Sequence, residues 1–399
     1  MRGCPVVTDT AGRPLGPGPG ASATGEGLVR RHRRRWLRGS ALGGAGLLLA
    51  AGGAGWAVYA KLNGNITADE AAAAELARYE RERPTALVRG ALNVLLIGSD
   101  TRSGDGNGKY GRDLGTERSD TTILLHLAAD RASATAVSLP RDLMVDVPGC
   151  HRADGSRSEP VFSMFNHAFQ VGGSACTIRT VEKLTGVRVD HHMVVDFSGF
   201  KEMVDAVDGV AVCLKEPIDD KAAKLRLPAG RVTLDGEQAL GYVRARKSLG
   251  DGSDTERMER QQRFLGAFAD KAQSNGVLLN PAKLYPVLDA ATSSLTTDPE
   301  LASLRGLYQL VRGLRDIPTE HVQFLTVPRK SYGYDANRDQ LVEPEAERLF
   351  GRLRTDQPVT VTRDPSQEIP GKSTEKGGRG GTSPAPTFSG NTAAERSCA

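Results

Sequence analysis

Apolar runs and amphipathic segments alternate along the chain from residue 88 to residue 362. Four runs are apolar almost throughout, which is typical of strands covered on both faces of a sheet: Ala91–Ile97, Thr121–Leu127, Thr135–Leu139 and His192–Phe197. Two further runs predict strands at Val210–Leu214 and Val322–Val327. Helical spacing predicts helices at Phe162–Val171, Ala175–Leu184, Phe200–Val207, Asp254–Gln273, Pro299–Leu314 and Pro344–Arg354. The pattern predicts an α/β fold, a single domain with a mixed central β-sheet covered by helices on both faces.

An uncharged stretch of twenty residues, Ala41–Ala60, precedes this domain. As a helix it would be about 30 Å long, enough to cross the core of a bilayer once. The basic cluster RRHRRRWLR comes just before it, and Lys61 is the one nearby charge after it. The positive-inside bias therefore predicts a cytoplasmic N-terminus and an extracytoplasmic domain at the cell membrane. The alternative is a signal peptide cleaved after Ala60, which leaves the domain in the same compartment.

Composition divides the chain further. Residues 1–40 predict a disordered basic cytoplasmic leader, and 41–60 a transmembrane helix that acts as a signal anchor. Residues 61–87, rich in Ala, Glu and Arg, predict an exposed helical linker that ends near a proline. Residues 88–363 form the predicted folded domain, and 364–399 predict a disordered tail rich in Gly, Pro and Ser.

The net charge of +4 is unevenly distributed. Residues 1–40 contain eight arginines and two acidic residues, so the other 359 residues carry 44 basic and 46 acidic side chains, a net charge of −2. A domain of that charge lacks the broad positive field that nucleic-acid binding requires. The sequence therefore predicts no nucleic-acid partner.

Three of the five cysteines, Cys150, Cys176 and Cys213, fall in the folded part, whereas Cys4 lies in the leader and Cys398 in the tail. Three thiols allow at most one disulfide. Cys150 and Cys176 are the natural pair, because they flank a polar excursion and a short helix-like stretch. Their bond would stabilise the fold by roughly 3–4 kcal/mol on the chain-entropy model. The alternative is three buried free thiols.

Two carboxylates lie at the ends of neighbouring predicted strands. Asp100 follows the first strand in GSDTR, and Asp120 opens the next one in RSDT. Carboxylate oxygens suit a hard divalent cation, Mg²⁺ with Mn²⁺ as an alternative, that fills its shell with water and substrate phosphate. Strand-end aspartates also cap turns and helices, which is the alternative.

Arginine is unusually dense in the polar loops: Arg102, Arg118, Arg141, Arg244 and Arg246. The planar guanidinium group of arginine can donate two parallel hydrogen bonds to the oxygens of a phosphate. The set therefore predicts a diphosphate site.

On the predicted helix that follows, Asp254, Arg257 and Gln261 share one face at i, i+3 and i+7, and Arg260 lies to a flank. Arg263 and Glu259 are expected to form a solvated ion pair. No GxSxG elbow, HExxH pair or Walker lysine loop occurs in the sequence. His191 and His192 would point to opposite faces of a strand, so we interpret them as structural.

These residues resemble the LytR-CpsA-Psr family of cell-wall enzymes, in particular its actinobacterial members. The resemblance is carried by NVLLIGSDTR (93–102), RSDTTILLHL (118–127), VSLPRDLMVDVPG (137–149), residues 165–200 and residues 234–265. Two departures concern a local turn at Val207–Val210, where the family usually has two glycines, and an unusually long loop at 103–117.

The resemblance implies a membrane-anchored phosphotransferase. Such an enzyme moves an anionic glycopolymer, such as teichoic acid or arabinogalactan, from a polyprenyl diphosphate carrier to an N-acetylmuramic acid hydroxyl of peptidoglycan, assisted by Mg²⁺. The alternatives are a non-catalytic protein that presents the carrier and a lipid pyrophosphatase.

By motif position, the resemblance implies that Asp100 and Asp120 bind the metal and that Arg118, Arg141, Arg244 and Arg246 hold the diphosphate, with Arg102 nearby. Arg257 and Gln261 would assist, and Asp254 would orient or deprotonate the attacking hydroxyl. The lipid would lie in an apolar cleft between sheet and helices.

Overall fold

A computed structural model describes residues 26–99, 119–152, 154–221, 223, 225–245, 254–272, 280–362 and 387–394, with backbone only for 26–43, 254, 255 and 281. Internal contacts divide the chain into two units, one ending at Tyr59 and one beginning at Ala60.

The described helices are α1 (Glu26–Asn65), α2 (Glu70–Arg78), α3 (His167–Thr185), α4 (Phe197–Ala206), α5 (Gly236–Arg244), α6 (Asp254–Ala272), α7 (Pro281–Ser293), α8 (Leu304–Arg315) and α9 (Glu345–Arg354). The described strands are β1 (Thr67–Ala68), β2 (Leu92–Ser99), β3 (Ser119–Leu127), β4 (Ala134–Leu139), β5 (Met144–Val147), β6 (Val161–Met164), β7 (His191–Val195), β8 (Val210–Leu214), β9 (Ile218–Asp220), β10 (Leu225–Leu227), β11 (Gly230–Leu234), β12 (Leu295–Thr297), β13 (Val322–Thr326), β14 (Arg329–Tyr332), β15 (Asp335–Leu341), β16 (Thr360–Thr362) and β17 (Thr387–Thr392).

Helix α1 contains the predicted transmembrane stretch. Within the part of the chain that the structure describes, the segment Gly44–Asn65 is the one long and apolar enough to cross a membrane. The helix begins at Glu26, inside the leader that was predicted to be disordered. Arginine and leucine are good helix formers, and extending an existing helix needs no new nucleus, so the local composition was a poor guide here.

The central sheet has nine strands in the order β1-β12-β7-β2-β3-β4-β13-β17-β16. Strand β2 is parallel to β7 and antiparallel to β3, and β4 is antiparallel to β3 and parallel to β13. The sheet is therefore mixed, and the predicted α/β fold is confirmed.

Both faces of this sheet are covered. Leu95 and Ile97 belong to a core cluster with residues of α3 and α9, whereas Val94 and Leu96 pack with residues of α8 on the other face. Successive side chains of a strand point to opposite faces, so an apolar run is needed to fill both cores.

The segment predicted as a helix at Phe162–Val171 is wrong in its first part. Val161–Met164 form strand β6, which pairs antiparallel with β5, and α3 begins only at His167. The two predicted helices around Gly172 and Gly173 are the halves of α3, which kinks there because Gly173 has a positive φ of 59°.

The predicted disordered tail also contains structure. Thr387–Thr392 form β17, which inserts between β13 and β16. Gly390 allows this close approach, since a Cβ atom at that position would collide with the Phe324 carbonyl oxygen. This pairing is non-local, so the short polar segment gave no sign of it.

The prediction of an exposed helical linker at 61–87 is wrong in its exposure, because Ala72 and Leu76 belong to the core cluster of the domain.

A buried polar group joins the start of α2 to the domain. Asp69 caps α2 by accepting from the amide of Ala72 at 3.0 Å, and it also accepts from the Ser174 hydroxyl. His192 Nε2 lies 3.2 Å from the same carboxylate. Burial opposes ionisation of Asp69, but the hydrogen bonds from His192, Ser174 and Ala72 outweigh it and lower its pKa to about 2.

Cys150 and Cys176 form a disulfide, as predicted, with Cα atoms 5.7 Å apart. The bond ties the loop after β5 to the second half of α3. Cys213 is also disulfide-bonded. The expectation of at most one disulfide is therefore wrong.

We predict that loss of the Cys150–Cys176 bond lowers the free energy of unfolding by roughly 3–4 kcal/mol, because it closes a long loop of the unfolded chain. Cys150→Ser, Cys176→Ser and the double variant should melt at the same lowered temperature, measured on full-length protein in detergent. Additive losses from the two single substitutions would contradict a shared bond.

We predict that Asp69→Asn removes roughly 1–2 kcal/mol at neutral pH, since asparagine keeps the cap but loses the charge that His192 and Ser174 stabilise. The depressed pKa means that this stabilisation is present above the unfolded pKa of about 4 and is lost as pH falls toward the folded value. The free energies of unfolding of the two proteins, measured with denaturant across that acid range, should therefore converge as the pH falls. A constant difference at all pH values would rule out the charge as its origin.

Candidate functional site

The candidate site lies where β3 begins and β4 ends. These strands are antiparallel, and Thr122 pairs with Leu139. The residues just before Thr122 and those just after Leu139 therefore lie at the same end of the sheet. Asp120 and Arg141 meet there, with Nη1 of the arginine 2.7 Å from Oδ1 of the aspartate. Both side chains are about one quarter exposed, at 24% for Arg141 and 28% for Asp120. The register of the sheet thus builds an accessible charged pair.

A second carboxylate flanks this pair. Asp142 Oδ2 lies 3.4 Å from Nε of Arg141, and Asp142 Oδ1 lies 3.5 Å from Nη1 of Arg338. Sequence reasoning singled out neither Asp142 nor Arg338. Asp142 stands in the LPRD motif beside Arg141, but Arg338 reaches the site through β15 and carries no local signal. The site therefore alternates positive and negative side chains.

Helix α6 supplies the other wall of a small pocket. Arg257, Met258 and Gln261 line it together with Asp120 and Arg141. The structure thus brings together four residues, Asp120, Arg141, Arg257 and Gln261, that the sequence predicted at three separate places in the chain. Arg257 is only 5% exposed, so its cationic group is held in a largely desolvated position.

The same helix holds the C-terminal end of α5. Gln261 Nε2 donates to the Val243 carbonyl at 3.2 Å, and Arg260 donates to the Ala245 carbonyl. Arg260, placed on a flank by helical spacing, is 5% exposed, and burial lowers the pKa of its guanidinium. Arg260 therefore supports the end of α5, which carries Arg244, and spacing alone did not show this.

Arg244 is the last residue of α5, and its guanidinium carbon lies 4.4 Å from the centre of the Phe197 ring. It is not among the residues that line the pocket with Asp120. A capping box between Asp235 and Gln238 starts this helix. Arg244 thus stacks on an aromatic ring beside the site and does not line the small pocket.

Several predicted site residues, Asp100, Arg102, Arg118 and Arg246, lie outside the described residues, as does the side chain of Asp254. Helix α6 does begin at Asp254. Among the described residues, no group of three or more His, Cys, Asp or Glu side chains could hold a metal ion. Asp120 alone still fits Mg²⁺, which characteristically takes one or two carboxylates and completes its shell with water and phosphate.

A larger cavity of about 310 Å³ lies further along α6. Its walls come from α6, β8, β13 and the end of β17, and they include Val212, Gly266, Ala267, Phe324 and Ala393. Arg263 lines it too and pairs with Glu259 at 3.5 Å, with side chains 40% and 53% exposed, as the predicted solvated ion pair. The cavity lies between sheet and helix, and polar side chains that include Asp270 and Lys271 also line it, so it is only partly apolar.

The two adjacent histidines are structural, as interpreted. His191 Nδ1 lies 3.1 Å from Asp298, whereas His192 contacts Asp69. Burial opposes protonation of His191, but its hydrogen bond with Asp298 outweighs this and raises the pKa of the imidazole.

The chain matches a known protein family. The LytR_cpsA_psr family model matches residues 58–355. The probable cell wall biosynthesis protein LcpB of Corynebacterium glutamicum is 37% identical over 271 residues, which are 66% of this chain and 61% of that protein. LcpA of the same organism is 34% identical over 264 residues, 60% of this chain and 50% of LcpA. The match thus spans only one half to three fifths of these two relatives.

The match to a third relative covers more of that protein's length. The polyisoprenyl-teichoic acid–peptidoglycan teichoic acid transferase TagT of Bacillus subtilis is 30% identical over 332 residues, 80% of this chain and 95% of TagT.

Solved structures share the fold. TagT bound to LI-WTA superposes with a TM-score of 0.51 and 24% identity, over 70% of this chain and 97% of that one. The LytR-Csp2A-Psr enzyme from Actinomyces oris gives a TM-score of 0.52 and 21% identity, over 68% and 93%. The family match over residues 58–355 and the 30% identity with TagT over 80% of this chain show that the chain belongs to the LytR-CpsA-Psr family.

Proposed function

We propose that this protein is a membrane-anchored phosphotransferase that moves an anionic glycopolymer from a polyprenyl diphosphate carrier to a muramic acid hydroxyl of peptidoglycan. The observation that carries the proposal is the shared pocket of Asp120, Arg141, Arg257 and Gln261. Its charged groups suit a diphosphate, and the name of the relative TagT states a transfer of teichoic acid to peptidoglycan.

In the proposed reaction the acceptor hydroxyl oxygen forms a bond to the phosphorus that carries the glycopolymer. The bond from this phosphorus to the bridging oxygen breaks, and polyprenyl monophosphate leaves. Asp254 takes the hydroxyl proton. Arg141 and Arg257, with Arg102, Arg118, Arg244 and Arg246 as further candidates, hold the diphosphate oxygens. Such a reaction needs positioning and charge neutralisation more than covalent help from the protein.

Asp120, together with Asp100, would hold the proposed Mg²⁺. When bound, this ion neutralises charge on the diphosphate oxygens. The Asp120 carboxylate lines the pocket and is held in place by its ion pair with Arg141. A hard oxygen ligand therefore lies where the diphosphate would bind.

The cavity along α6 is the proposed site for the part of the polyprenyl chain that adjoins the diphosphate. Its volume of about 310 Å³ is roughly twice that of an engineered apolar cavity of ~150 Å³ that accepts benzene. Both the small pocket and this cavity are lined by α6, so one helix would contact the diphosphate and the lipid.

The proposed orientation places the N-terminus in the cytoplasm and the domain outside, because the arginine cluster precedes the apolar stretch of α1. The Cys150–Cys176 disulfide supports this placement, since such bonds persist in oxidising compartments.

We predict that Asp120→Asn lowers Mg²⁺-dependent turnover of a lipid-diphosphate glycan at least about a hundredfold and raises the Mg²⁺ concentration that turnover needs. Asp146→Asn, at an exposed position on β5, is the matched control and should leave both quantities unchanged. Unchanged turnover and unchanged Mg²⁺ dependence in Asp120→Asn would remove the metal assignment.

We predict that Gly266→Phe blocks the cavity along α6 and raises KM for a long polyprenyl carrier at least about tenfold, because two lost methylene contacts already cost that much. Gly266→Ala is the matched control: its Cβ would lie 3.9 Å from Ala393 and 4.0 Å from Phe324, which is ordinary contact. A short-chain carrier should be used equally well by all three proteins. Equal KM values for the long carrier would contradict the lipid site.

A further inference from the structure

Helix α8 has an outward face whose side chains are exposed in the described part of the chain. Its sequence, LRGLYQLVRGLR, contains three arginines and no acidic residue. Leu310 is buried against the sheet, whereas Tyr308 is 64% and Val311 58% exposed. Arg305 and Arg312 are exposed beside them. Residues three and four apart share a helix face, so these four side chains form one aromatic, apolar and cationic surface.

This surface begins where the chain leaves the apolar segment of α1. The amide of Leu304, the first residue of α8, donates to Asn63 Oδ1 at 3.1 Å. Asn63 belongs to the segment Gly44–Asn65. Lys61 Nζ, two residues earlier, lies 3.0 Å from Asp289 on α7. The start of α8 is therefore fixed to the last turns of the segment that would cross the membrane.

The dimensions keep the whole face near that point. Along a helix, Tyr308 comes about 6 Å and Arg312 about 12 Å after Leu304. The screening length at physiological salt is about 8 Å, so Arg305, one residue after Leu304, lies within it, and Arg312 lies within it where α8 runs along the bilayer surface.

We propose that the outward face of α8 docks on the anionic lipid surface of the membrane that holds α1. Tyr308 and Val311 enter the headgroup region, and Arg305 and Arg312 contact lipid phosphates. Aromatic side chains favour this interface, and basic side chains are drawn to anionic lipids. A face with cations and no acid complements the continuous negative surface of an anionic bilayer.

Docking would fix how the domain tilts over the membrane, and so how its pocket meets carriers in the bilayer. The inference depends on the proposed membrane anchoring of α1 and not on phosphoryl transfer, so the two can fail separately.

Photocrosslinking tests the contact in the full-length protein. The protein is placed in nanodiscs of phosphatidylcholine, with or without phosphatidylglycerol, and carries Tyr308→p-benzoylphenylalanine. We expect lipid adducts, identified by mass, that increase with phosphatidylglycerol. Tyr334→p-benzoylphenylalanine is the matched control, because Tyr334 is 93% exposed on the β14–β15 hairpin and should give few adducts.

Charge variants test the lipid phosphates. Arg305→Gln/Arg312→Gln should lower the ratio of docked to undocked protein about thirtyfold, and with it the adduct yield at position 308. Arg226→Gln/Lys330→Gln removes the same charge elsewhere and should change nothing, with melting temperatures confirming that all variants fold. Equal lipid adducts at 308 and 334, adducts at 308 to protein instead of lipid, or no effect of the α8 charges would each overturn the proposal.

Discussion

The central sheet is buried on both faces, and this constraint decides where chemistry can occur. Strands β2, β3 and β4 are filled by apolar side chains in two opposite cores, so charged groups are excluded from their middles. They appear instead at strand ends, where Asp120 and Arg141 form their ion pair at the rim of the sheet. The antiparallel register of β3 and β4 then determines that this carboxylate and this guanidinium meet.

The position of helix α6 also depends on the central sheet. Gln262, 2% exposed, donates to the Ser138 hydroxyl of β4 at 2.9 Å and so fixes the helix to the sheet next to the charged pair. A buried polar group left without its partner costs about 1–3 kcal/mol, so this contact resists sliding of the helix. From that position α6 presents Arg257 to the pocket, holds the end of α5 through Arg260 and lines the larger cavity with Gly266.

The parts of this arrangement that could be predicted from sequence are those with a local signal. The central strands were found because burial on both faces requires an apolar run, and the Arg257–Gln261 face was found from helical spacing. Helix α5 was missed although Asp235 and Gln238 form a capping box, because its glycines weaken the helical pattern. Burial of Arg260 and pairing of β17 depend on distant segments, which no local pattern reports. The roles of Asp100 and Asp254 stay predictions.

The proposed function requires that the protein transfers a phosphorylated glycopolymer and does not merely bind or hydrolyse its carrier. The most direct measurement is the product balance of full-length protein with a lipid-diphosphate glycan labelled at both phosphorus atoms, peptidoglycan fragments and Mg²⁺. A transferase should release one polyprenyl monophosphate for each phosphodiester formed on muramic acid. Free glycopolymer phosphate without phosphodiester would indicate a pyrophosphatase, and tight carrier binding without any product would indicate a presenting protein. Either result would contradict the proposed transfer.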